Sequence, residues 1–309
     1  LKGIIKQLQQ FIAAQKVSYW IFIFVLCAAG IYINYFAGLK QYLKSLSNFQ
    51  SFVADSLLYT TFTVIAYLGY SITHGNYQFW KRPGFLVLLI LGILIFAFRT
   101  SYTGHQQFIE SVSQPEKALI NKLTYNNLFK LSYLLIPLSI IWFIAHRRQQ
   151  PLYGMALKKQ QLGIYFTLLA CMLPLIIYAS TLPDFLAYYP RAKRLVYEHA
   201  TGVELLLYEL CYGIDFIGIE LFFRGFMIMA FAKYLGINSV LPIACFYLSI
   251  HFGKPMGEAI SSFFGGAILG VISYHSRSIY GGVIIHMGIA WLMELGGFIG
   301  NWLTQNNQP

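Results

Sequence analysis

A glutamate and an arginine stand four residues apart in an apolar run, Glu220-Leu-Phe-Phe-Arg224-Gly225. At that spacing they share one face of an α-helix and can form an ion pair. In a soluble helix such a pair is commonplace. Within a hydrocarbon-length segment each charge costs about 2.5 kcal/mol or more to place, so an intramembrane ionisable pair is read as functional by default. His251 and His286 follow in similarly apolar surroundings. A carboxylate or an imidazole can take a proton from water, and a suitably placed imidazole can also stabilise an oxyanion. Glu220, His251 and His286 are alternatively a three-ligand open zinc site. Each residue has a plainer reading: the pair as a clasp between helices, each histidine as a hydrogen-bonded packing residue. Their coincidence within one hundred residues favours a shared site.

Those residues need helices to hold them, and the composition says what kind. Apolar residues make up 57%, aromatics 17% and charged residues 11% of the 309, against about 25% charged in an average soluble domain. Apolar runs of roughly 17–25 residues, long enough to cross a bilayer, recur along the chain. They cover about 17–39, 55–73, 84–99, 129–146, 162–182, 203–222, 224–236, 238–250, 259–275 and 280–299. The runs at 224–236 and 238–250 are too short to span alone and read as half-helices or one span kinked around Gly236 and Pro242. The expectation is an all-α, polytopic transmembrane bundle of eight to ten membrane helices.

The sequence divides into an amphipathic segment 1–16, membrane helices 17–200 of unassigned role, a chemically distinctive core 201–300 and a polar tail 301–309. In the first segment Ile4, Ile5, Leu8, Phe11 and Ile12 fall on one side and Lys2, Lys6, Gln9, Gln10 and Lys16 mostly on the other. That pattern suits either a helix lying in the interface or a simple extension of the first span. No cleavable signal peptide is expected. Lys2, Lys6 and Lys16, then Lys81 and Arg82, then Arg147, Arg148, Lys158 and Lys159 fall on one side if the spans alternate, which places the N-terminus in the cytoplasm. Arg191, Lys193 and Arg194 fall on the other side unless 183–202 is re-entrant or interfacial. The net charge of +11 is thus a topology signal and an attraction to anionic lipid. The basic residues are scattered and no nucleic-acid motif accompanies them, so nucleic acid is excluded as a partner. Cys27, Cys171, Cys211 and Cys245 lack metal spacing and read as buried small hydrophobes. The polar stretch 100–128, with His105, Glu110, Glu116 and Lys117, reads as a solvated external loop, and His74 and His146 as interfacial residues at span ends. No repeat of 20–50 residues is visible, which weakens a transporter reading.

The ionisable groups of the core are Glu204, Glu209, Asp215, Glu220, Arg224, His251, Glu258, His286 and Glu294. Their order resembles the CAAX protease and bacteriocin-processing (CPBP, Abi) family of membrane proteases, which carries EExxxR, FxxxH and HxxxN/D on successive helices. The resemblance covers roughly 204–298. Glu220-Leu-Phe-Phe-Arg224-Gly225 matches the second glutamate, the arginine and the glycine of the first signature. Tyr247-Leu-Ser-Ile-His251 matches the second with Tyr for Phe, and His286-Met-Gly-Ile-Ala290 matches the third only at its histidine. Ser262-xxx-Gly266-xxx-Gly270 fits as a helix face permitting close approach.

Two family positions are substituted. The water-activating glutamate falls at Ile219 and the oxyanion-binding Asn or Asp at Ala290. Isoleucine takes no proton and alanine donates none. Asp215, four residues before Ile219 and on the same face, is a candidate replacement base, and Glu258 a second. The resemblance implies an intramembrane endopeptidase, with Glu220, Arg224, His251, His286 and Asp215 as catalytic candidates. It would hydrolyse a membrane-associated or lipid-modified peptide in a bacterial cytoplasmic membrane, and family roles include bacteriocin processing and self-immunity. Zinc held by Glu220, His251 and His286, or a metal-free Glu–His site, both fit, and there is no HExxH to decide. The alternative is a catalytically inactive member serving as a membrane scaffold, immunity or partner-binding protein, and the third reading is a transporter. The sequence sets no oligomeric state.

Overall fold

A computed structural model describes residues 2–155, 162–197 and 199–306; Lys158 and Lys159, two of the basic loop residues, lie outside them. All regular structure among the described residues is helical. In chain order the α-helices are α1 (Lys2–Ala14), α2 (Val17–Tyr35), α3 (Leu39–Lys44), α4 (Asn48–His74), α5 (Pro83–Ser101), α6 (Gly104–Val112), α7 (Ala118–Ile141) and α8 (Leu162–Ala179). They continue with α9 (Pro183–Tyr188), α10 (Lys193–Tyr197), α11 (Gly202–Glu220), α12 (Ala232–Leu235), α13 (Val240–Ser249), α14 (Met256–Ser276) and α15 (Tyr280–Asn306). Six stretches among the described residues are long and apolar enough to cross a membrane: α2, α4, α5, Pro115–His146 around α7, α14 and α15. The protein is a multi-pass membrane protein. Adding α8 and α11 reaches the lower end of the expected eight to ten. α11 has the length but carries Glu204, Glu209, Asp215 and Glu220.

Local signals account for several boundaries. Gln50 accepts a hydrogen bond from the Ser47 amide at 3.0 Å, half of a capping box opening α4, and Gly75 (φ 68°) ends it in a left-handed cap. Pro83 opens α5, where its missing N–H is no loss. The N-terminal segment is helical as its pattern predicts, but it is no extension of the first span. Lys16 is extended (φ −66°, ψ 141°) and separates α1 from α2, and the Gln15 side chain donates to Asn238 at 2.8 Å. The stretch 100–128 is also not a loop, since it folds into α6, a 3₁₀ turn at Pro115–Lys117 and the start of α7. His105 there is buried, its Nε2 donating to Asn126 Oδ1 at 2.8 Å and its ring stacked on Phe129. α9 and α10 are too short to span.

The chain folds into two compact units interleaved in sequence. One comprises the described residues of Leu1–Tyr102, Tyr133–Leu157 and Leu221–Ile279. Here α13 packs against α14 and α4, with α4 also against α5 and α2. A β-carbon on Gly266 would lie 3.1 Å from Tyr247, and one on Gly270 3.0 Å from Val240. The small-residue face of α14 therefore lies directly on α13. Phe96, Phe222, Phe223 and Phe246 form an aromatic core. His146 is buried in this unit and bonds the Tyr153 hydroxyl at 2.9 Å.

The second unit comprises the described residues of Thr103–Ser132, Lys158–Glu220 and Tyr280–Pro309. Its central helix α15 packs against α8 and α11. The buried Glu294 carboxylate on α15 accepts from the backbone amides of Arg191 (2.9 Å) and Ala192 (3.1 Å). Trp291 Nε1 donates to the Glu209 carbonyl at 3.0 Å.

Candidate active site

Glu220 is the last residue of α11, and its side chain is wholly buried. It meets His286, two turns into α15, through a 3.0 Å contact between Glu220 Oε1 and His286 Nδ1. A carboxylate at this distance accepts, so Nδ1 carries the hydrogen and in the neutral ring the lone pair sits on Nε2. The Phe216 ring, one turn back on α11, lies 4.4 Å from the imidazole. Tyr212 adjoins Phe216 at 5.1 Å. The helices approach this closely because Gly213 sits against Trp291 and Met287, and Gly282 against the Glu220 carboxylate. Sequence reading found Glu220 and His286 but missed Phe216 and Gly282. The signal for Gly282 was available: a glycine one turn before the histidine, on the same helix face.

The residues after Glu220 do not continue as α-helix. Leu221–Ala230 is π-helical and entirely buried. A π segment is rare and concentrates at functional sites. Arg224 lies in the first turn of this segment, so its winding differs from that of α11, which ends at Glu220. Within the first unit the Arg224 guanidinium, 2% exposed, lies 4.5 Å from the centre of the Tyr247 ring, a cation–π contact in an apolar environment. Tyr247 also serves His251: its carbonyl accepts from Nδ1 at 2.7 Å, and its ring lies 4.6 Å from the imidazole. The tautomer is thereby set with the lone pair on Nε2. Gly225 is required because its α-carbon abuts the backbone of Tyr153. The dual role of Tyr247 escaped sequence reading; its aromatic ring at the first position of the second signature was the available sign.

Asp215 is buried on α11. Successive helical residues are about 100° apart, so Asp215 lies on the flank beside Phe216 and not on the Phe216–Glu220 face. Ile219 and Ala290, at the substituted family positions, are both buried apolar residues. Glu204 caps the start of α11 by accepting from the Thr201 amide and pairs with Lys117. Glu258 pairs with Lys254 in the first turn of α14. Among the described residues no three His, Cys, Asp or Glu side chains are grouped so as to hold a metal ion. Glu220 and His286, two of the three candidate zinc ligands, spend Oε1 and Nδ1 on one another.

Within the second unit the fold thus brings a buried carboxylate against an imidazole, and within the first it fixes the tautomer of a histidine through a backbone carbonyl. Residues 203–292 match the Rce1-like family model, described as type II CAAX prenyl endopeptidase Rce1-like. The match spans 90 of the 309 residues and supports kinship of that segment with the CAAX proteases. Neither a curated protein nor a solved structure gives a significant match to the chain.

Proposed function

We propose that the protein is an intramembrane endopeptidase of CAAX-protease type, hydrolysing a membrane-associated or lipid-modified peptide with water activated by the Glu220–His286 pair. The contact between Glu220 Oε1 and His286 Nδ1 at 3.0 Å carries the reading. Glu220 orients the ring and stabilises its protonated form, while Nε2 takes a proton from water. The water oxygen attacks the peptide carbonyl, and the imidazolium returns the proton to the leaving amine as the C–N bond breaks. Burial of Glu220 keeps this charge pairing strong, because little water competes for it. Arg224 and His251, the other matched signature residues, are assigned as further requirements for hydrolysis, His251 through its Nε2. The N-terminus, with Lys81, Arg82, Arg147 and Arg148, is assigned to the cytoplasmic side.

The test is hydrolysis of a prenylated peptide ending in a CAAX sequence by the full chain in lipid vesicles. Glu220→Gln, His286→Ala and His251→Ala each lower kcat by about 10²–10⁴-fold, the span expected for a general acid–base group. If His286→Ala stays active and Asp215→Asn does not, the base is Asp215. A second reading is favoured by Ile219 and Ala290 standing where the family has an acid and an amide or acid. It is a non-catalytic member whose polar pair holds a partner helix. Hydrolysis lost on His286→Ala would exclude it.

A further inference from the structure

His251 lies in the short connection between Ser249, the end of α13, and Met256, the start of α14. The connection is a tight turn: the His251 amide donates to Leu248 and the Lys254 amide to the His251 carbonyl, each at 2.9 Å. Two residues more than two hundred positions away grip its backbone. Asn34, fully buried in the last turn of α2, donates through Nδ2 to the Phe252 carbonyl at 2.9 Å. Tyr35 donates its hydroxyl to the Lys254 carbonyl at 2.8 Å. The Phe252 ring meets Phe62 of α4 edge-on at 5.3 Å, and Gly30 of α2 admits both rings.

A buried asparagine in a membrane helix is costly, and here its Oδ1 has no hydrogen-bond partner among the described residues. A leucine would serve packing better, so the half-satisfied amide needs another explanation. We propose that Asn34 is a positioning residue for His251: α2 holds the turn that carries the histidine and so aims its Nε2. The Tyr247 carbonyl fixes the ring's rotation and tautomer, whereas Asn34 and Tyr35 fix the backbone on which the ring stands. A displacement of about 1 Å at a reacting group can cost 10²-fold. The inference gives α2 a share in the site, and it rests on the reading that His251 takes part in hydrolysis.

The experiment uses full-length protein in vesicles and a farnesylated CAAX peptide, comparing Asn34→Leu, Asn34→Asp and the milder Tyr35→Phe with wild type. Amide hydrogen exchange across 250–254 and the modification rate of His251 by diethyl pyrocarbonate are read alongside. Expected are a fall in kcat of about 10–100-fold, KM within about twofold, and faster exchange confined to that turn, Tyr35→Phe moving the same way by less. An unchanged kcat per folded molecule, or a loss of protection spread over the whole chain, overturns the proposal. Should the wild type cleave no peptide, the functional reading fails by itself. Exchange and His251 reactivity then still decide whether Asn34 holds the turn, and equal values in Asn34→Leu and wild type refute it.

Discussion

Gly282 packs so tightly against the Glu220 carboxylate that the α11–α15 seam has no room for a β-carbon at that position. One methyl group therefore tests the pairing without touching either ionisable residue. Gly282→Ala should push the carboxylate out of line with His286 and cut kcat by about 10²-fold, the order expected for a misaligned group. Overpacking should lower stability by about 1–3 kcal/mol. Gly265→Ala, where nothing lies within 4 Å, is the matched control and should leave both activity and Tm unchanged or slightly raised. Equal activity in the two variants would show that the Glu220–His286 geometry is not critical.

Arg224 makes a distinct prediction through Tyr247. Tyr247→Phe keeps a ring beneath the guanidinium and should leave Tm within about 2 °C of wild type. Tyr247→Leu removes the cation–π contact, worth about 2 kcal/mol when desolvated, and also opens space beside Gly266. Thermal denaturation in detergent should therefore separate the two variants clearly. A Phe variant as unstable as the Leu variant would mean that the hydroxyl, not the ring, matters.

The parts of this architecture that depend on average composition were legible in the sequence. The spans at 17–39, 84–99 and 259–275 correspond to α2, α5 and α14 because an apolar run of membrane length has few other folds open to it. The pairing of Glu220 with His286 was readable only as a coincidence of buried polar residues. The π turns after Leu221 were not readable, since a run as uniformly apolar as Leu-Phe-Phe has no periodicity to distinguish i+4 from i+5 bonding. Asn34 passed unnoticed for a related reason. One amide in an apolar helix has no local partner, and its meaning lies in a carbonyl more than two hundred residues away. Glu294 stands out in the sequence only as one more core acid, and its work as a cap for the Arg191 and Ala192 amides depends on a tertiary turn.

Zinc dependence is decided by removal. If the Glu220–His286 pair is the base, hydrolysis should survive 1,10-phenanthroline and EDTA, and purified protein should carry well under one zinc per chain. Activity lost on chelation and restored by zinc alone would assign Glu220 and the histidines to a metal. It would replace the Glu220–His286 base with a metal-bound water.

His105 offers a test of pH-dependent stability outside the membrane spans. Burial holds its pKa below the ordinary value near 6.5, opposed in part by the bond to Asn126 and reinforced by nearby Lys130. The folded chain therefore keeps His105 neutral at a pH where the unfolded chain has already bound the proton. Stability from this residue is fully present above about pH 6.5. It is lost as pH falls from there toward the depressed folded value, by at most about 1.4 kcal/mol per pH unit for one proton. His105→Gln, which retains a donor toward Asn126, should flatten the fall in Tm between pH 7 and 5 relative to wild type. Parallel profiles for the two proteins would mean that other groups carry the acid sensitivity.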